Sequence, residues 1–346
     1  MKRSLITALL GALAAAGCGR EAGPRPTRDT GIRSVVLVGW DGCRQSDLER
    51  LLKAGKLPNL QGLITAGGYV RTRVTTGDTS TKPGWAEILT GYRAERLKIT
   101  SNRNYQPIPR GYTLFERLKS VSAGKMAAAF LTGKINNLGH RGPHRICINC
   151  ISRDTFTGSK TAYWDENEPS IKRVPTNDGG PQRWVSRKGE PYFNTVPSLD
   201  IHKAALGSAA HVGSEALAVL DRLRDRPFIA FFHFEEPDEE GHVYGEGAAE
   251  YRQAILAGDA WLGRIVMKLR QLGLFDATAV FVVTDHGMDA GQKEHFNAPE
   301  TFLATNLRRR LRPGDRKDVA PTVLDALGLD ASSIRPRLDG RSLFVE

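Results

Sequence analysis

Long apolar runs are missing from this 346-residue sequence: no stretch reaches 18 apolar residues, so no segment predicts a membrane-spanning helix. The sequence also lacks a glycine-rich phosphate loop, an internal repeat and the interleaved aromatic and basic residues of a nucleic-acid platform. A composition of 40% hydrophobic and 25% charged residues excludes collagen, a coiled coil and a fully disordered chain. The length allows one large domain or two small ones.

Positive charge is in excess, with 49 Lys+Arg against 38 Asp+Glu and a net charge of +11. Loss of Lys2 and Arg3 with a cleaved leader would leave +9. This excess favours anionic partners such as phosphate esters, acidic lipid or nucleic acid, without choosing among them.

The N-terminus has the pattern of an export signal, because Lys2 and Arg3 precede a 12-residue apolar stretch at 5–16. The stretch ends in Ala15-Ala16-Gly17-Cys18, which resembles a bacterial lipobox. We therefore expect a lipoprotein signal peptide at 1–17, a lipid on Cys18 and a tether at 18–32. The protein would then be anchored in the cell envelope, facing the periplasm or the cell surface. The alternative is ordinary secretion with an unmodified Cys18.

Few cysteines remain after this segment, namely Cys43, Cys147 and Cys150. Cys147 and Cys150 are half of a zinc-knuckle pattern, but no second half follows. A local disulfide in an oxidising compartment is the better interpretation, and Cys43 is expected to be a buried thiol.

Apolar segments alternate with helical patterns along most of the chain. Strands are predicted at 34–39, 69–74, 126–131, 227–234 and 279–284, and helices at 47–54, 58–64, 84–90, 113–120, 211–224, 248–272 and 318–327. This order predicts an α/β fold with a doubly wound, mostly parallel sheet and helices on both faces.

The periodic spacing of apolar residues fades at 133–198. We expect a catalytic α/β domain at 33–105 and 206–346, with an inserted cap at 106–205 that selects the substrate.

Polar residues follow three of the predicted strands. Asp41 ends the first strand, Asp238 and His242 follow the strand at 227–234, and Asp285 and His286 follow the strand at 279–284. Ligands of open α/β sheets bind beyond the carboxyl ends of strands, and a carboxylate–imidazole mixture suits zinc, or less well manganese. Each motif alone is also typical of a turn, a helix cap or a hydrogen-bonded core histidine.

These motifs resemble those of a known family. Asp41-Gly42, Glu-Pro-Asp-x-x-Gly-His-x-x-Gly at 236–245 and Asp-His-Gly-Met at 285–288 are similar to the alkaline phosphatase superfamily, above all its type I phosphodiesterase/nucleotide pyrophosphatase branch. The resemblance covers 33–105 and 206–346.

The resemblance implies a catalytic nucleophile, for which Thr81 in Thr-Lys-Pro matches the branch pattern. A Thr-Gly pair at 90–91 and Asn102 follow at the expected spacing, and Asn102 would bind a phosphoryl oxygen. Helix N-capping is the alternative role of Thr81.

The resemblance further implies two divalent metal ions, expected to be Zn²⁺ with Mn²⁺ as the alternative. One would be held by Asp41, Asp285 and His286 beside Thr81. The other would be held by Asp238, His242 and a histidine further downstream, a position that His295 fills.

Lys82 stands where nucleotide-handling members of the branch carry an aromatic residue. As a substrate-binding residue it would favour a dianionic monoester; otherwise it lies on the surface. Sulfatases need Cys or Ser as the nucleophile and an arginine soon after it, and the residues around Thr81 lack both.

The expected activity is hydrolysis of a phosphodiester or pyrophosphate through a phospho-threonine, with a small phosphate ester or a lipid headgroup as substrate. The alternatives are a phosphomonoesterase, a sulfatase-like hydrolase, a phosphoethanolamine transferase and a non-catalytic metal-binding lipoprotein.

Basic cap residues either meet the leaving group or form a solvated face: Arg141, His144, Arg145, Arg153, Lys172 and Arg173. The basic run at 308–312 either touches acidic lipid or is a charged helix face. The sequence does not predict the oligomeric state.

Overall fold

The computed structural model describes residues 25–134, 137–151, 164–165 and 171–345. Its main strands, labelled β1–β8 in chain order, are Ser34–Trp40, Gly68–Arg73, Ala127–Thr132, Ile201–Lys203, Phe228–Phe234, Thr278–Val283, Glu300–Thr305 and Gly314–Asp315. Its α-helices, labelled α1–α9, are Gln45–Lys53, Pro58–Ala66, Thr81–Thr90, Ala94–Leu97, Leu114–Val121, Ala209–Leu223, Glu236–Tyr244, Ala249–Gln271 and Val319–Ala326. The predicted signal peptide, Cys18 and Arg153 lie outside the described residues, as do residues 18–24 of the tether.

The main strands form one eight-stranded sheet in the order β8-β2-β7-β6-β1-β5-β3-β4. Neighbouring strands run parallel except β7, which is antiparallel to both β6 and β2. The strands at the centre of the sheet are apolar and fully buried, as expected for a sheet covered on both faces.

Helices cover both faces of the sheet because successive side chains of each strand point to opposite sides. Val35 and Leu37 of β1 pack in the core formed with α3, α5 and α9. Val36 and Val38 pack in the opposite core, formed with α1, α2, α6 and α8. The predicted doubly wound α/β architecture is therefore confirmed. Among the described residues, no helix combines the length and apolarity needed to cross a membrane.

The predicted boundaries of the cap need a correction. The interval 106–205 includes α5, β3 and β4, and β3 pairs with the core strand β5 in the main sheet. The part outside the main sheet begins after β3 and ends before β4. It contains a small antiparallel sheet of the strands His144–Cys147, Trp164–Asp165 and Trp184–Arg187. Because this interval is poor in periodic apolar residues, the sequence does not show that the short apolar strand β3 beside it belongs to the main sheet.

The cysteines lie as predicted, because Cys147 and Cys150 form a disulfide and Cys43 is a buried free thiol. The basic run at 308–312 is not a helix face, since it forms no helix. Arg309 instead pairs with Asp325 at 3.0 Å and stacks on Phe344, and Arg312 pairs with Asp318 at 3.1 Å. These contacts hold the C-terminal segment against α9.

Candidate active site

Four neighbouring parallel strands bring polar residues to one edge of the sheet. β6, β1, β5 and β3 are consecutive in the sheet, so their carboxyl ends share an edge. The residues that follow them are Asp285 and His286 after β6, Asp41 after β1, helix α7 after β5 and Lys134 after β3. The order and direction of the strands therefore place these residues at the same edge of the sheet.

Helix α7 supplies Asp238 and His242, which lie one helical turn apart as the sequence spacing predicts. The Nε2 atom of His242 lies 3.4 Å from Oδ2 of Asp238. The opposite ring nitrogen, Nδ1, donates to the carbonyl of Lys293 at 2.7 Å, which fixes the ring with Nε2 towards the carboxylate. Burial lowers the pKa of His242, but the negative Asp238 outweighs burial and raises it to about 9.

His286 and His295 complete a group of three histidines, with ring centroids 4.2 Å apart for this pair and 4.9 Å for His295 and His242. Each ring is oriented through Nδ1, which bonds the Gly287 carbonyl in His286 and the Thr79 carbonyl in His295. Burial, aided by His295, lowers the pKa of His286 to about 3. His286 is therefore neutral, the form that binds metal ions.

Asp41 is a fully buried carboxylate with three donors around it. Its Oδ2 accepts hydrogen bonds from Trp85 Nε1 at 3.0 Å and from His233 Nε2 at 2.7 Å. Its Oδ1 accepts from Lys134 Nζ at 3.2 Å. Burial raises the pKa of Asp41, but the Lys134 ammonium and the His233 hydrogen bond outweigh it, so the pKa falls to about 2. Asp41 is ionised at neutral pH.

Asp285 lies next to both His286 and helix α3. Its Oδ1 accepts from the Gly42 amide at 3.3 Å, and its Oδ2 is 3.3 Å from Nε2 of His286. A Cβ added at Gly84, in the first turn of α3, would lie 2.6 Å from the Asp285 Cβ. Only glycine allows this approach, which places Asp285 against the turn that begins with Thr81. Burial and the charge of Asp41 raise the pKa of Asp285 well above its usual range.

Thr81 is the first residue of α3, and Ser80 holds the N-cap position. The alternative interpretation of Thr81 as the N-cap is therefore wrong. The Thr81 hydroxyl is buried, and among the described residues it has no hydrogen-bond partner. Asn102 lies close by, because its Oδ1 accepts from the backbone amide of Lys82 at 2.9 Å. The structure thus brings the expected nucleophile and the expected oxyanion-binding residue to the same helix N-terminus.

The donor set fits metal ions. Within the part of the chain that the structure describes, Asp238 Oδ1, Asp285 Oδ2 and His286 Nε2 are buried without a hydrogen-bond partner. Two groups have donor atoms within 4.8 Å of one another: Asp238, His242 and His295 in one, and Asp41, Asp238 and His286 in the other. Ligands of a tetrahedral zinc ion are themselves about 3.3 Å apart. The first group is the trio expected from the sequence, whereas in the second Asp238 takes the place expected for Asp285.

Lys134 is the main residue of the candidate site that the sequence did not reveal. Its buried ammonium bonds Oδ2 of Asp238 and Oδ1 of Asp41, and lies 3.7 Å from Glu239. It therefore neutralises the same two carboxylates that belong to a candidate metal group. No motif marked it, since a single lysine in an aperiodic segment has no distinctive pattern.

A buried ion pair that the sequence did not predict supports the loop before α3. Arg316 pairs with Glu87 at 2.6 Å, and both side chains are fully buried. The same guanidinium donates to the carbonyl of Asp285 at 3.0 Å and to those of Thr76 and Asp78. Arg316 thereby ties Asp285 to the segment that leads to Thr81.

One of the two predicted roles of Lys82 placed it on the surface. This prediction is wrong, because the Lys82 side chain is 2% exposed. It pairs instead with Glu190 at 2.8 Å. Of the basic cap residues, His144 is buried and also faces Glu190. The other described members are exposed, as a solvated face predicts: Arg141, Arg145, Lys172 and Arg173.

The position of Lys134 predicts a metal-dependent stability effect. Lys134→Met leaves Asp41 and Asp238 buried without their cation, and removing one partner of a buried pair typically costs about 3–5 kcal/mol. We expect a clear fall in melting temperature with chelator present, and a smaller fall with zinc, which restores positive charge to the carboxylates.

The matched control is Lys203→Met, which breaks a partly exposed lysine–glutamate pair with Glu215. Its expected cost is at most about 1 kcal/mol, independent of metal. Differential scanning fluorimetry measures both variants. Equal melting temperatures for the two variants in chelator would contradict the neutralising role of Lys134.

Comparison with solved structures supports the fold. A protein of the alkaline phosphatase superfamily from Vibrio parahaemolyticus aligns with a TM-score of 0.56 at 16% identity, over 93% of this chain and 72% of that one. A phosphonate monoester hydrolase of Agrobacterium radiobacter aligns with a TM-score of 0.54 at 15% identity, over 90% and 76%. At this identity the likeness concerns the fold alone.

Sequence relatives match at higher identity. The mouse (Mus musculus) ectonucleotide pyrophosphatase/phosphodiesterase family member 1 is 25% identical over 296 residues, which are 81% of this chain and 28% of that protein. The mouse bis(5'-adenosyl)-triphosphatase is 26% identical over 75% of this chain and 48% of that protein. The chain thus spans about half, or less, of the length of these relatives.

The family profile described as type I phosphodiesterase / nucleotide pyrophosphatase matches residues 35–337. This interval contains the whole candidate site, from Asp41 to His295, together with the cap. On this match, the chain belongs to the type I phosphodiesterase/nucleotide pyrophosphatase family.

Proposed function

We propose that this protein is a metal-dependent hydrolase of phosphodiester or pyrophosphate bonds that acts through a covalent phospho-Thr81. The observation that carries the proposal is the Thr81 hydroxyl, which is buried without a hydrogen-bond partner among the described residues and begins a helix packed on Asp285. A polar group in that position is costly unless a ligand or a substrate engages it. Membership of the family supports the same reaction class.

The reaction takes two displacements at phosphorus. In the first, Thr81 Oγ attacks phosphorus and its proton passes to solvent water, while the bond to the leaving oxygen breaks with the electron pair going to that oxygen. In the second, water attacks the same phosphorus and gives up a proton to solvent, the bond to Thr81 Oγ breaks with its electron pair going to Oγ, and Oγ takes up a proton from solvent, which restores the hydroxyl. Each displacement inverts the configuration at phosphorus.

This chain's residues bind and orient the phosphoryl group in both steps. The N-terminus of α3 favours an anion through the helix dipole. Asn102, held beside that terminus by the Lys82 amide, is the proposed donor to a non-bridging oxygen as negative charge develops there.

Two trios would hold the two divalent cations, and zinc fits their carboxylate and imidazole donors best. The first is Asp238, His242 and His295. The second is the set implied by the family resemblance, Asp41, Asp285 and His286, whereas the clustered donor atoms include Asp238 in place of Asp285. Bound cations would supply Lewis-acid chemistry, which lowers the pKa of a hydroxyl or water and stabilises a leaving oxygen. Trp85 and His233 orient Asp41, while backbone carbonyls orient His242 and His295.

A phosphomonoesterase is the second candidate activity, favoured by the cationic Lys82 next to Thr81. The pairing of Lys82 with Glu190 argues for the diester, because it cancels the charge that would attract a dianion. A relative named for cleaving bis(5'-adenosyl)-triphosphate makes nucleotide pyrophosphates one class to test, and lipid headgroup diesters are another. A non-catalytic metal-binding role is disfavoured because Thr81 and all six expected ligands are present.

We further propose that the mature chain is anchored by lipid on Cys18 and faces the periplasm or the cell surface. The lipobox-like sequence before Cys18 supports this location. Cys18→Ser should move the protein from the membrane fraction to the soluble fraction of the cell envelope. Retention of the variant in the membrane fraction would contradict the anchor.

The proposed activity predicts a substrate order. With zinc, the purified full-length protein should hydrolyse a chromogenic phosphodiester faster than the matching monoester, and the sulfate least. Chelator should abolish turnover, and returning zinc should restore it. Faster turnover of the monoester would favour the phosphomonoesterase, and turnover unaffected by chelator would overturn the metal requirement.

Thr81→Ala removes the proposed nucleophile and should lower kcat by roughly a thousandfold or more. Bound metal, measured by inductively coupled plasma mass spectrometry, and melting temperature should stay close to the wild-type values. Thr65→Ala, at an exposed position of α2, is the matched control and should keep full activity. Unchanged turnover by Thr81→Ala would remove this residue from the mechanism.

A further inference from the structure

The segment outside the main sheet contributes one carboxylate next to the proposed nucleophile. Glu190 follows the strand Trp184–Arg187, and its Oε2 accepts a hydrogen bond from Lys82 Nζ at 2.8 Å. Lys82 is the residue directly after Thr81, so their Cα atoms are about 3.8 Å apart. The Glu190 carboxylate is therefore hydrogen-bonded to Lys82, the residue that directly follows Thr81.

Glu190 is fixed in place from several sides. Its Oε1 accepts from the Tyr105 hydroxyl at 3.2 Å and lies 3.5 Å from His144 Nε2. A Cβ added at Gly139 would lie 3.0 Å from the Glu190 Cγ, so the stem of the side chain is also packed. The carboxylate is thus held in one position rather than moving freely in solvent.

Lys82 is equally constrained. Its side chain is 2% exposed, and its Nζ lies over the ring of Tyr105, 4.3 Å from the centroid. A buried ammonium needs nearby negative or polar groups to offset the free-energy cost of its desolvation, because it has little access to water. Loss of the Glu190 charge would remove this compensation from the residue that directly follows Thr81, and an anionic substrate could then supply it.

The two candidate substrates differ in charge. At neutral pH a phosphomonoester carries about −1.5 to −2, because its second pKa is near 6. A diester has one ionisable oxygen fewer and carries a single charge. When Glu190 neutralises Lys82, the site loses an electrostatic attraction that would favour the more highly charged monoester.

We propose that Glu190 is a specificity-determining residue that biases the site towards singly charged phosphodiesters by neutralising Lys82. This inference rests on the proposed function. It assigns to the segment outside the main sheet an electrostatic role in the choice of substrate, in addition to any contact with the leaving group.

The test compares kcat/KM for a chromogenic diester and the matching monoester at pH 7.5 with zinc, using the full-length chain. Glu190→Gln keeps the size of the side chain and removes the charge. We expect the monoester-to-diester ratio of kcat/KM to rise by on the order of tenfold. Glu190→Asp, which keeps the charge, should change the ratio less than Glu190→Gln.

The double variant Lys82→Met/Glu190→Gln decides whether the freed ammonium causes the change. The gain in the ratio should disappear in this variant, as in a coupled double-mutant cycle. Glu215→Gln, which breaks the partly exposed pair with Lys203, should leave the ratio as in the wild type. A gain that persists without Lys82, or an unchanged ratio in Glu190→Gln, would overturn the proposal.

Binding of inorganic phosphate, measured by isothermal titration calorimetry at pH 8, provides a readout that needs no turnover. Glu190→Gln should bind the phosphate dianion about tenfold more tightly than the wild type, and the double variant should not. If the wild type hydrolyses neither ester, the proposed function fails, and phosphate binding still decides the inference. Equal affinities for all three proteins would overturn it.

Discussion

The need to compensate buried negative charge governs this site. Asp41, Asp238 and Asp285 lie at one edge of the sheet with almost no solvent exposure. Three carboxylates in a medium of low dielectric repel one another and each is poorly solvated, so positive charge must be near. Lys134 supplies part of it, and the histidine and carboxylate donors provide places for metal ions. Folding and the proposed metal binding and reactivity therefore involve the same group of side chains.

Much of the fold and of the site was predictable because it depends on local sequence patterns. The apolar run of β1 followed by Asp41 predicted both a buried strand and the place of a ligand at its end. The spacing of Asp238 and His242 predicted one face of a helix, and α7 confirms that both residues belong to one helix. In a parallel sheet these local features also fix the meeting point, because strand ends share an edge.

The remainder depends on contacts between residues far apart in sequence. Lys134 lies 104 positions from Asp238, and Lys82 lies 108 positions from Glu190. No periodicity or spacing connects such pairs, and a lysine or a glutamate in an irregular segment looks like a solvated surface residue. The cap boundary was wrong for a related reason: β3 is short and stands beside aperiodic sequence, and only its pairing with β5 assigns it to the sheet.

In the proposed reaction, Thr81 at the N-terminus of α3 forms and releases a bond to phosphorus. The most direct test is the stereochemistry of hydrolysis of a chiral phosphorothioate diester in heavy-oxygen water. Two successive in-line displacements predict net retention of configuration at phosphorus. Net inversion would mean that water attacks the substrate in a single step, and would contradict the covalent role of Thr81.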